Sequence, residues 1–239
     1  MPAITTKSIV LSALKYGDTS LIVKCLTLKE GVKSYLIRGV LKSKKGKLKP
    51  AYFQPLTQLI LTANHNTKGN LNSVKEVQVI HAYQSIPTSI VKQSILLFLS
   101  EILASVIQEE EENFPLYNYI ETGLIWLDTH DEVSNFHLLF LLNLSRFLGF
   151  YPDVSKEALV FNLVEGGDVG FGKESTTISG VKLNAFKRLL GINFDAIHTI
   201  NFSKQERQMV LQIIIRYFEL HLDGFRKPKS LQVLETVFT

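Results

Sequence analysis

Residues 20–41 read S-L-I-V-K-C-L-T-L-K-E-G-V-K-S-Y-L-I-R-G-V-L. Two runs within them, Ser20–Leu28 and Val32–Leu41, are rich in Val, Ile, Leu and Thr, a composition typical of β-strands. The Lys29-Glu30-Gly31 sequence between these runs is a tight-turn signal. The stretch therefore predicts a β-hairpin.

The same pattern extends to both sides of this hairpin. Further strands are predicted over Ser8–Leu14, Leu56–Thr62 and Leu71–Ile80. Five short strands in about eighty residues leave no space for crossover helices, so we expect a small closed antiparallel barrel. An oligonucleotide-binding (OB) barrel and an SH3-like barrel both fit this strand count.

Positive charge is concentrated in the predicted barrel. Residues 1–83 carry 13 Lys or Arg against 3 Asp or Glu, a balance of +10, whereas residues 84–239 carry 13 against 19, a balance of −6. No acidic residue lies between Glu30 and Glu76. Positive charges fixed on a rigid sheet favour binding of a polyphosphate backbone, because each neutralised phosphate releases condensed counterions. The opposite charges favour two domains with separate tasks.

The most basic segment, Arg38–Lys49, reads R-G-V-L-K-S-K-K-G-K-L-K. We predict that the DNA-binding residues are the basic side chains of this region, Lys33, Arg38, Lys42, Lys44, Lys45, Lys47 and Lys49. The competing interpretation is a solvated surface loop. Three aromatic residues lie nearby, and the pattern leaves open whether they stack on unpaired bases or belong to the core: Tyr35, Tyr52 and Phe53.

After about residue 84 the apolar spacing changes from two residues to about 3.6, which predicts helices. Helices are predicted over residues 89–108, 116–127, 132–148, 182–190, 203–222 and 231–237, with an irregular insertion over about 151–177. The predicted fold class is α+β with two domains, an antiparallel barrel over residues 1–83 and an all-α helical domain over 84–239. We assign nucleic-acid binding to the first and partner interaction to the second.

No pattern typical of an active site stands out. The glycine-rich run at 166–172 lacks the Lys-Ser/Thr ending of a phosphate-binding loop, and the six histidines lack metal-ligand spacing. Cys25, the single cysteine, lies in a predicted strand. We therefore predict a non-enzymatic protein without a disulfide. The absence of a signal sequence or a long apolar run predicts a cytoplasmic protein with no membrane partner.

Several short motifs resemble a known family in their order and spacing. The motifs are Gly17–Val23 (G-D-T-S-L-I-V), Glu30-Gly31, Arg38–Lys45 (R-G-V-L-K-S-K-K) and Gln54-Pro55-Leu56, with looser matches at Leu148–Pro152, Thr177–Leu183 and Lys227–Phe238. Together they resemble the bacterial recombination mediator family RecO. The resemblance implies an N-terminal OB-fold barrel followed by a helical domain.

The resemblance also implies a non-enzymatic function in DNA repair. Proteins of this family bind single- and double-stranded DNA, anneal complementary strands and act with RecR. They engage the acidic tail of the single-stranded-DNA-binding protein and help load RecA, which implies an association with the nucleoid. An acidic tail with an apolar end needs an apolar groove rimmed by a cation, and the candidates on and just after the predicted core helix are Arg146, Phe147 and Phe150.

Two further expectations complete the interpretation. Many family members carry a cysteine-rich zinc-binding insertion, but the corresponding region at 151–172 has no cysteine, so we predict no zinc and no other cofactor. The competing function is a protein-interaction scaffold whose basic barrel binds an acidic protein instead of nucleic acid.

Overall fold

The computed structural model describes residues 3–42, 47–65, 71–108, 111–168 and 176–238. The chain divides into two compact units, residues 1–128 with 228–230 and residues 129–227 with 231–239. The first unit is built from β1 (Ile4–Tyr16), β2 (Ser20–Thr27), β3 (Gly31–Ile37), β4 (Gln58–Asn64), β5 (Asn72–His81), α1 (Ile90–Val106) and α2 (Phe114–Thr129). The second contains α3 (Phe136–Phe147), β6 (Val160–Asn162), β7 (Gly167–Asp168), β8 (Thr177–Ser179), α4 (Gly180–Lys187), α5 (Lys204–His221) and α6 (Leu231–Val237).

The five predicted strands form a closed barrel in the order β1-β2-β3-β5-β4. All neighbouring strands are antiparallel except β3 and β5, whose parallel pairing joins Tyr35 to Asn72 and Leu36 to Ser73. This order is that of an OB fold, so the structure confirms the predicted fold class and resolves the choice that strand count alone left open.

The long strand β1 closes the barrel because it serves two neighbours. Its first half pairs with β4 from Ile4 to Ile9, and its second half pairs with β2 from Ser8 to Tyr16. The register with β2 shifts between Val10 and Ser12, which marks a β-bulge. A bulge bends a strand and increases its twist, which allows one strand to take part in both sides of a barrel.

The barrel core is filled by the inward-facing side chains of alternate strand positions. Val10, Val23, Cys25 and Tyr35 are at most 1% exposed and pack in one cluster with Phe53 of the short 3₁₀ helix Pro50–Phe53. The alternation predicted for β2 and β3 therefore matches the buried face. Burial among apolar side chains raises the pKa of the Cys25 thiol to about 12, so this cysteine stays a neutral core residue at physiological pH.

Helix α1 packs against the barrel. Lys24 of β2 donates from Nζ to the carbonyl oxygens of Ala104 and Ile107 at 3.0 and 3.1 Å, which satisfies carbonyl groups at the end of α1. The boundary predicted after residue 83 stays a prediction, since the barrel ends at His81 but the first compact unit also includes α1 and α2.

The second unit is organised around α3 and α5. Helix α3 is buried on nearly all sides, as its continuous apolar sequence predicts. Helix α5 begins with a capping box, in which the Glu206 backbone N–H donates to Ser203 Oγ and the Ser203 N–H donates to the Glu206 carboxylate. The region predicted as irregular contains the small sheet β7-β6-β8. Within the described residues, no helix has the length and apolar character needed to cross a membrane.

Candidate nucleic-acid interface

The larger groove on the barrel lies where β3 meets β5. Its volume is about 750 Å³, and its lining includes Leu36 and Arg38 from the end of β3. Leu48 borders it on one side, and Asn72 borders it at the start of β5. The groove is therefore apolar on its β3 side and carries a cation at the edge.

The first residues of the basic segment are attached to the barrel by their backbone. The Leu41 N–H donates to the Thr19 carbonyl oxygen at 2.9 Å, and the Gly39 N–H donates to Ser20 Oγ at 3.4 Å. Gly39 has φ = +67°, a left-handed conformation that glycine adopts without steric cost. The segment after β3 is thus held against the turn that joins β1 to β2.

Four of the seven predicted DNA-binding residues are exposed in this region: Arg38, Lys42, Lys47 and Lys49. Lys49 precedes the 3₁₀ helix that brings Phe53 into the core. Two more of the seven, Lys44 and Lys45, lie outside the described residues. An exposed ammonium or guanidinium group on an anchored backbone can approach a phosphate without losing a protein partner.

Lys33 lies apart from this group. It is near the start of β3, paired with Cys25, and is partly buried. It is five positions before Arg38 along an extended chain, which corresponds to about 16 Å between the two Cα atoms. The structure therefore brings Arg38 and Lys42 to one end of the barrel and leaves Lys33 towards the other.

A second groove, of about 340 Å³, adds a cation that the sequence did not single out. Lys47 borders it together with Lys75 of β5. Leu48 lines both grooves, so the Lys47-Leu48 pair is shared between them. Glu76 also lines the second groove and partly offsets its positive charge. Lys75 was missed because it lies outside the basic run and reaches this surface only through the pairing of β4 with β5.

The three aromatic residues near the basic segment belong to the core or its margin. Tyr35 is fully buried and Phe53 is 3% exposed, while Tyr52 is partly buried against the same core cluster. The Tyr35 hydroxyl lies 3.1 Å from His65 Nε2, and burial raises the pKa of Tyr35 well above its ordinary value. The buried rings of Tyr35 and Phe53 are therefore not open to a base.

The predicted partner residues of α3 and the following turn have separate surroundings. The guanidinium carbon of Arg146 lies 3.9 Å from the centroid of the Tyr151 ring, a cation–π arrangement. Phe150 packs against α5, with ring centroids 5.1 Å from those of Phe218 and His221. Phe147 is partly buried, so of the three only Arg146 is exposed. Partner binding at these residues stays a prediction.

No metal centre is recognisable in the part of the chain that the structure describes. There, no three His, Cys, Asp or Glu side chains are grouped so that they could hold an ion. The glycine-rich run begins as the turn between β6 and β7, with Gly166 at φ = +69°, and its residues 169–172 lie outside the described ranges. The prediction that zinc is absent stays a prediction.

The strand order and the anchored basic segment define the class of protein, an OB-barrel protein with a helical C-terminal part. Two family models match the chain: "Recombination protein O N terminal" over residues 1–83 and "Recombination protein O C terminal" over residues 87–232. The chain belongs to this family, the RecO family of DNA repair proteins.

Relatives that share this name match over almost their whole length. The chain is 47% identical to DNA repair protein RecO of Flavobacterium psychrophilum over 237 residues, 99% of both chains. It is 46% identical to that of Christiangramia forsetii, over 98% of this chain and 99% of the relative. For Bacteroides fragilis the identity is 37% over 98% of each chain.

Proposed function

We propose that this chain is a non-enzymatic recombination mediator that binds single- and double-stranded DNA through its barrel and anneals complementary strands. The observation that carries the proposal is the group of exposed cations at one end of the barrel, where Arg38 borders the groove between β3 and β5. The N-terminal part carries a net charge of +10, so it attracts polyanions. Family membership supports repair as the process in which this binding acts.

The physical basis of annealing is charge neutralisation. Two DNA strands repel each other through their phosphates, and cations fixed on the barrel reduce that repulsion. Lysine and arginine side chains that contact phosphates leave the base edges free, because phosphate contacts position a strand without reading its sequence. The chain would thereby hold two strands close enough to pair, without nucleotide hydrolysis.

The partner assignments rest on family membership and agree with the division of charge between the two parts of the chain. The proposed partners are RecR, the acidic C-terminal tail of the single-stranded-DNA-binding protein and, indirectly, RecA, which would be loaded onto strands covered by that protein. The exposed guanidinium of Arg146 is our candidate for the tail carboxylates, with Phe147 and Phe150 close to it in sequence. Peptide titration against Arg146→Ala tests this assignment, and an unaltered affinity would refute it. We place the protein in the cytoplasm, with the nucleoid.

A strand-annealing assay without nucleotide tests the main proposal. We expect annealing, and we expect log affinity for single-stranded DNA to fall against log salt with a slope of roughly −4 if about six phosphates are engaged. Charge reversal of Lys44, Lys45 and Lys47 together should flatten this slope. Unchanged binding by the triple variant would remove the assignment of these cations.

A polyanion that lacks bases distinguishes DNA binding from the competing scaffold function. A fluorescent base in single-stranded DNA should change its emission on binding, and heparin should compete only through charge. Binding to an acidic protein with no detectable binding to DNA at low salt would favour the scaffold.

A further inference from the structure

The last residues of β1, just before the turn to β2, include two large apolar side chains that are exposed to solvent. Leu14 is 66% exposed and Tyr16 is 55% exposed. They are two positions apart on one strand and therefore lie on the same face. Their neighbours Ala13 and Lys15 pair with Val23 and Leu21 of the core, which places Leu14 and Tyr16 on the outer face of the barrel.

This outer face continues as an apolar row across three strands. Leu14 pairs with Ile22 of β2, and Ile22 pairs with Leu36 of β3. Ile22 and Leu36 are partly exposed, and Leu36 lines the groove between β3 and β5. Tyr16 stands one row beyond, opposite Ser20. The row thus connects an exposed aromatic ring to the groove that Arg38 borders.

The charges around Tyr16 favour a nucleic acid as the occupant. Ser20, its cross-strand partner, accepts the hydrogen bond from the Gly39 N–H, which brings the backbone between Arg38 and Lys42 to this turn. At the turn itself Lys15 and Asp18 are both exposed and offset each other. Phosphate attraction therefore comes from the basic segment, and the turn offers an aromatic face with little net charge.

We propose that Tyr16 stacks on an unpaired nucleobase of a single DNA strand whose phosphates lie on Arg38 and Lys42, an inference that rests on the proposed function. Aromatic rings stack on every base, so this contact contributes affinity for single strands without sequence preference. The ligand class is single-stranded nucleic acid, with bases unpaired at the turn. The Leu14–Ile22–Leu36 row provides the apolar surface along which the next bases lie.

The test measures affinity for a single strand, for the same strand with abasic sites throughout, and for duplex DNA. Tyr16→Ala should weaken binding to the single strand about 5- to 150-fold, and Tyr16→Phe should retain it. Binding to the abasic strand, and the salt slope on either strand, should not change, because the phosphate contacts remain. Phe114→Ala removes another exposed aromatic ring, which is 59% exposed at the start of α2, and should leave all affinities unchanged.

A second variant gives a direct signal for stacking. Trp126, the only tryptophan, is 9% exposed, so the Tyr16→Trp variant adds an exposed indole that can be compared with the wild-type emission. We expect single-stranded DNA to quench this added emission and the abasic strand to leave it unchanged. Equal affinities of Tyr16→Ala and wild type for the single strand, or equal losses on the normal and abasic strands, would overturn the inference. Wild-type protein that binds no DNA would instead overturn the proposed function itself.

Discussion

The ammonium group of Lys92 lies 3.2 Å from the main-chain carbonyl oxygen of Asp128, and each of these two residues is only 4% exposed. The Asp128 carboxylate in turn accepts backbone N–H groups from Gln84, Ser85 and Ile86 at 2.9–3.1 Å. Burial alone would raise the pKa of Asp128, but these donors outweigh it and lower the pKa below its ordinary value. This network fixes the segment after the barrel to the end of α2.

Replacement of Asp128 by alanine should therefore destabilise the protein strongly. The change leaves three backbone N–H groups without their carboxylate acceptor, whereas the Lys92 ammonium keeps the main-chain carbonyl oxygen of residue 128, and we expect a loss of about 3–5 kcal/mol in the free energy of unfolding. Denaturant unfolding followed by circular dichroism measures it. Glu112→Ala, at an exposed position in the same unit, is the matched control and should stay within about 0.5 kcal/mol of wild type. Equal midpoints for both variants would contradict the network's structural role.

His137 should make stability depend on pH in a defined window. Burial, together with the charge of Arg207, lowers the pKa of this histidine to about 3. The unfolded chain binds the proton at a pKa of about 6.5, so stability is lost as pH falls from about 6.5 towards 3, by up to about 1.4 kcal/mol per pH unit.

The His137→Leu variant should have a flatter dependence of unfolding free energy on pH between 6 and 4 than wild type. Urea unfolding at several pH values gives the two slopes. His198→Gln, which changes an exposed histidine, should keep the wild-type slope. If His137→Leu also keeps the wild-type slope, then this imidazole binds protons in the folded protein as readily as in the unfolded chain.

Gly166 should not tolerate a side chain. At φ = +69°, a Cβ atom added there would lie 2.7 Å from the Tyr217 hydroxyl oxygen. Gly166→Ala should therefore cost about 1–3 kcal/mol in the free energy of unfolding. The adjacent Gly167→Ala is the control. A Cβ atom added at Gly167 would have the Asp153 carbonyl oxygen as its nearest neighbour, at an ordinary van der Waals distance of 3.9 Å. Thermal unfolding of both variants distinguishes them, and a similar loss in each would refute the steric explanation.

The basic residues of the barrel should fall into two groups, those that contribute to the salt dependence of DNA binding and those that do not. Arg38→Gln with Lys47→Gln removes two exposed charges at the grooves, and we expect the salt slope for single-stranded DNA to decrease by about 1.4. Lys24→Gln also removes one positive charge, but the Nζ atom of Lys24 donates hydrogen bonds to the carbonyl oxygens of Ala104 and Ile107. It should reduce stability and leave the slope unchanged. A similar change of slope for Lys24→Gln would indicate general charge attraction instead of a localised site.

Tyr35→Phe should affect the core and not DNA binding. The variant loses the hydroxyl that lies 3.1 Å from His65 Nε2, at a cost of about 1 kcal/mol in the free energy of unfolding. Because the Tyr35 ring is fully buried, affinity for single-stranded DNA at fixed salt should equal that of wild type. Fluorescence anisotropy with a labelled oligonucleotide measures the affinity, and a loss of more than about twofold would place Tyr35 at the interface after all.

The β-hairpins were predictable from the sequence because burial alternates along each strand. Val23 and Cys25 of β2 follow the expected period, and the core confirms it. The exposure of Tyr16 was not predictable in this way. Counting by two from the core residue Val10 places Tyr16 inside the barrel, but the bulge before Ser12 reverses the alternation and turns Tyr16 outward.

Sequence patterns also could not predict how α1 and α2 pack with the barrel. Asp128 meets its N–H donors across 42 to 44 residues, and local periodicity carries no information about such a pairing. The position of Lys75 beside Lys47 has the same origin, since it depends on how the strands pair and not on which residues are adjacent in the chain. The basic run itself was visible because its charges lie close together in the sequence.

Within the described residues, two residue pairs join β3 to β5, Tyr35 with Asn72 and Leu36 with Ser73, and the Asn72 side-chain amide donates to the Ser34 carbonyl oxygen at 3.1 Å. Separating this seam would break few main-chain hydrogen bonds, whereas separating any other pair of neighbouring strands would break a long ladder. Local opening of the barrel should therefore begin at this seam, while the longer ladders keep the opposite wall intact.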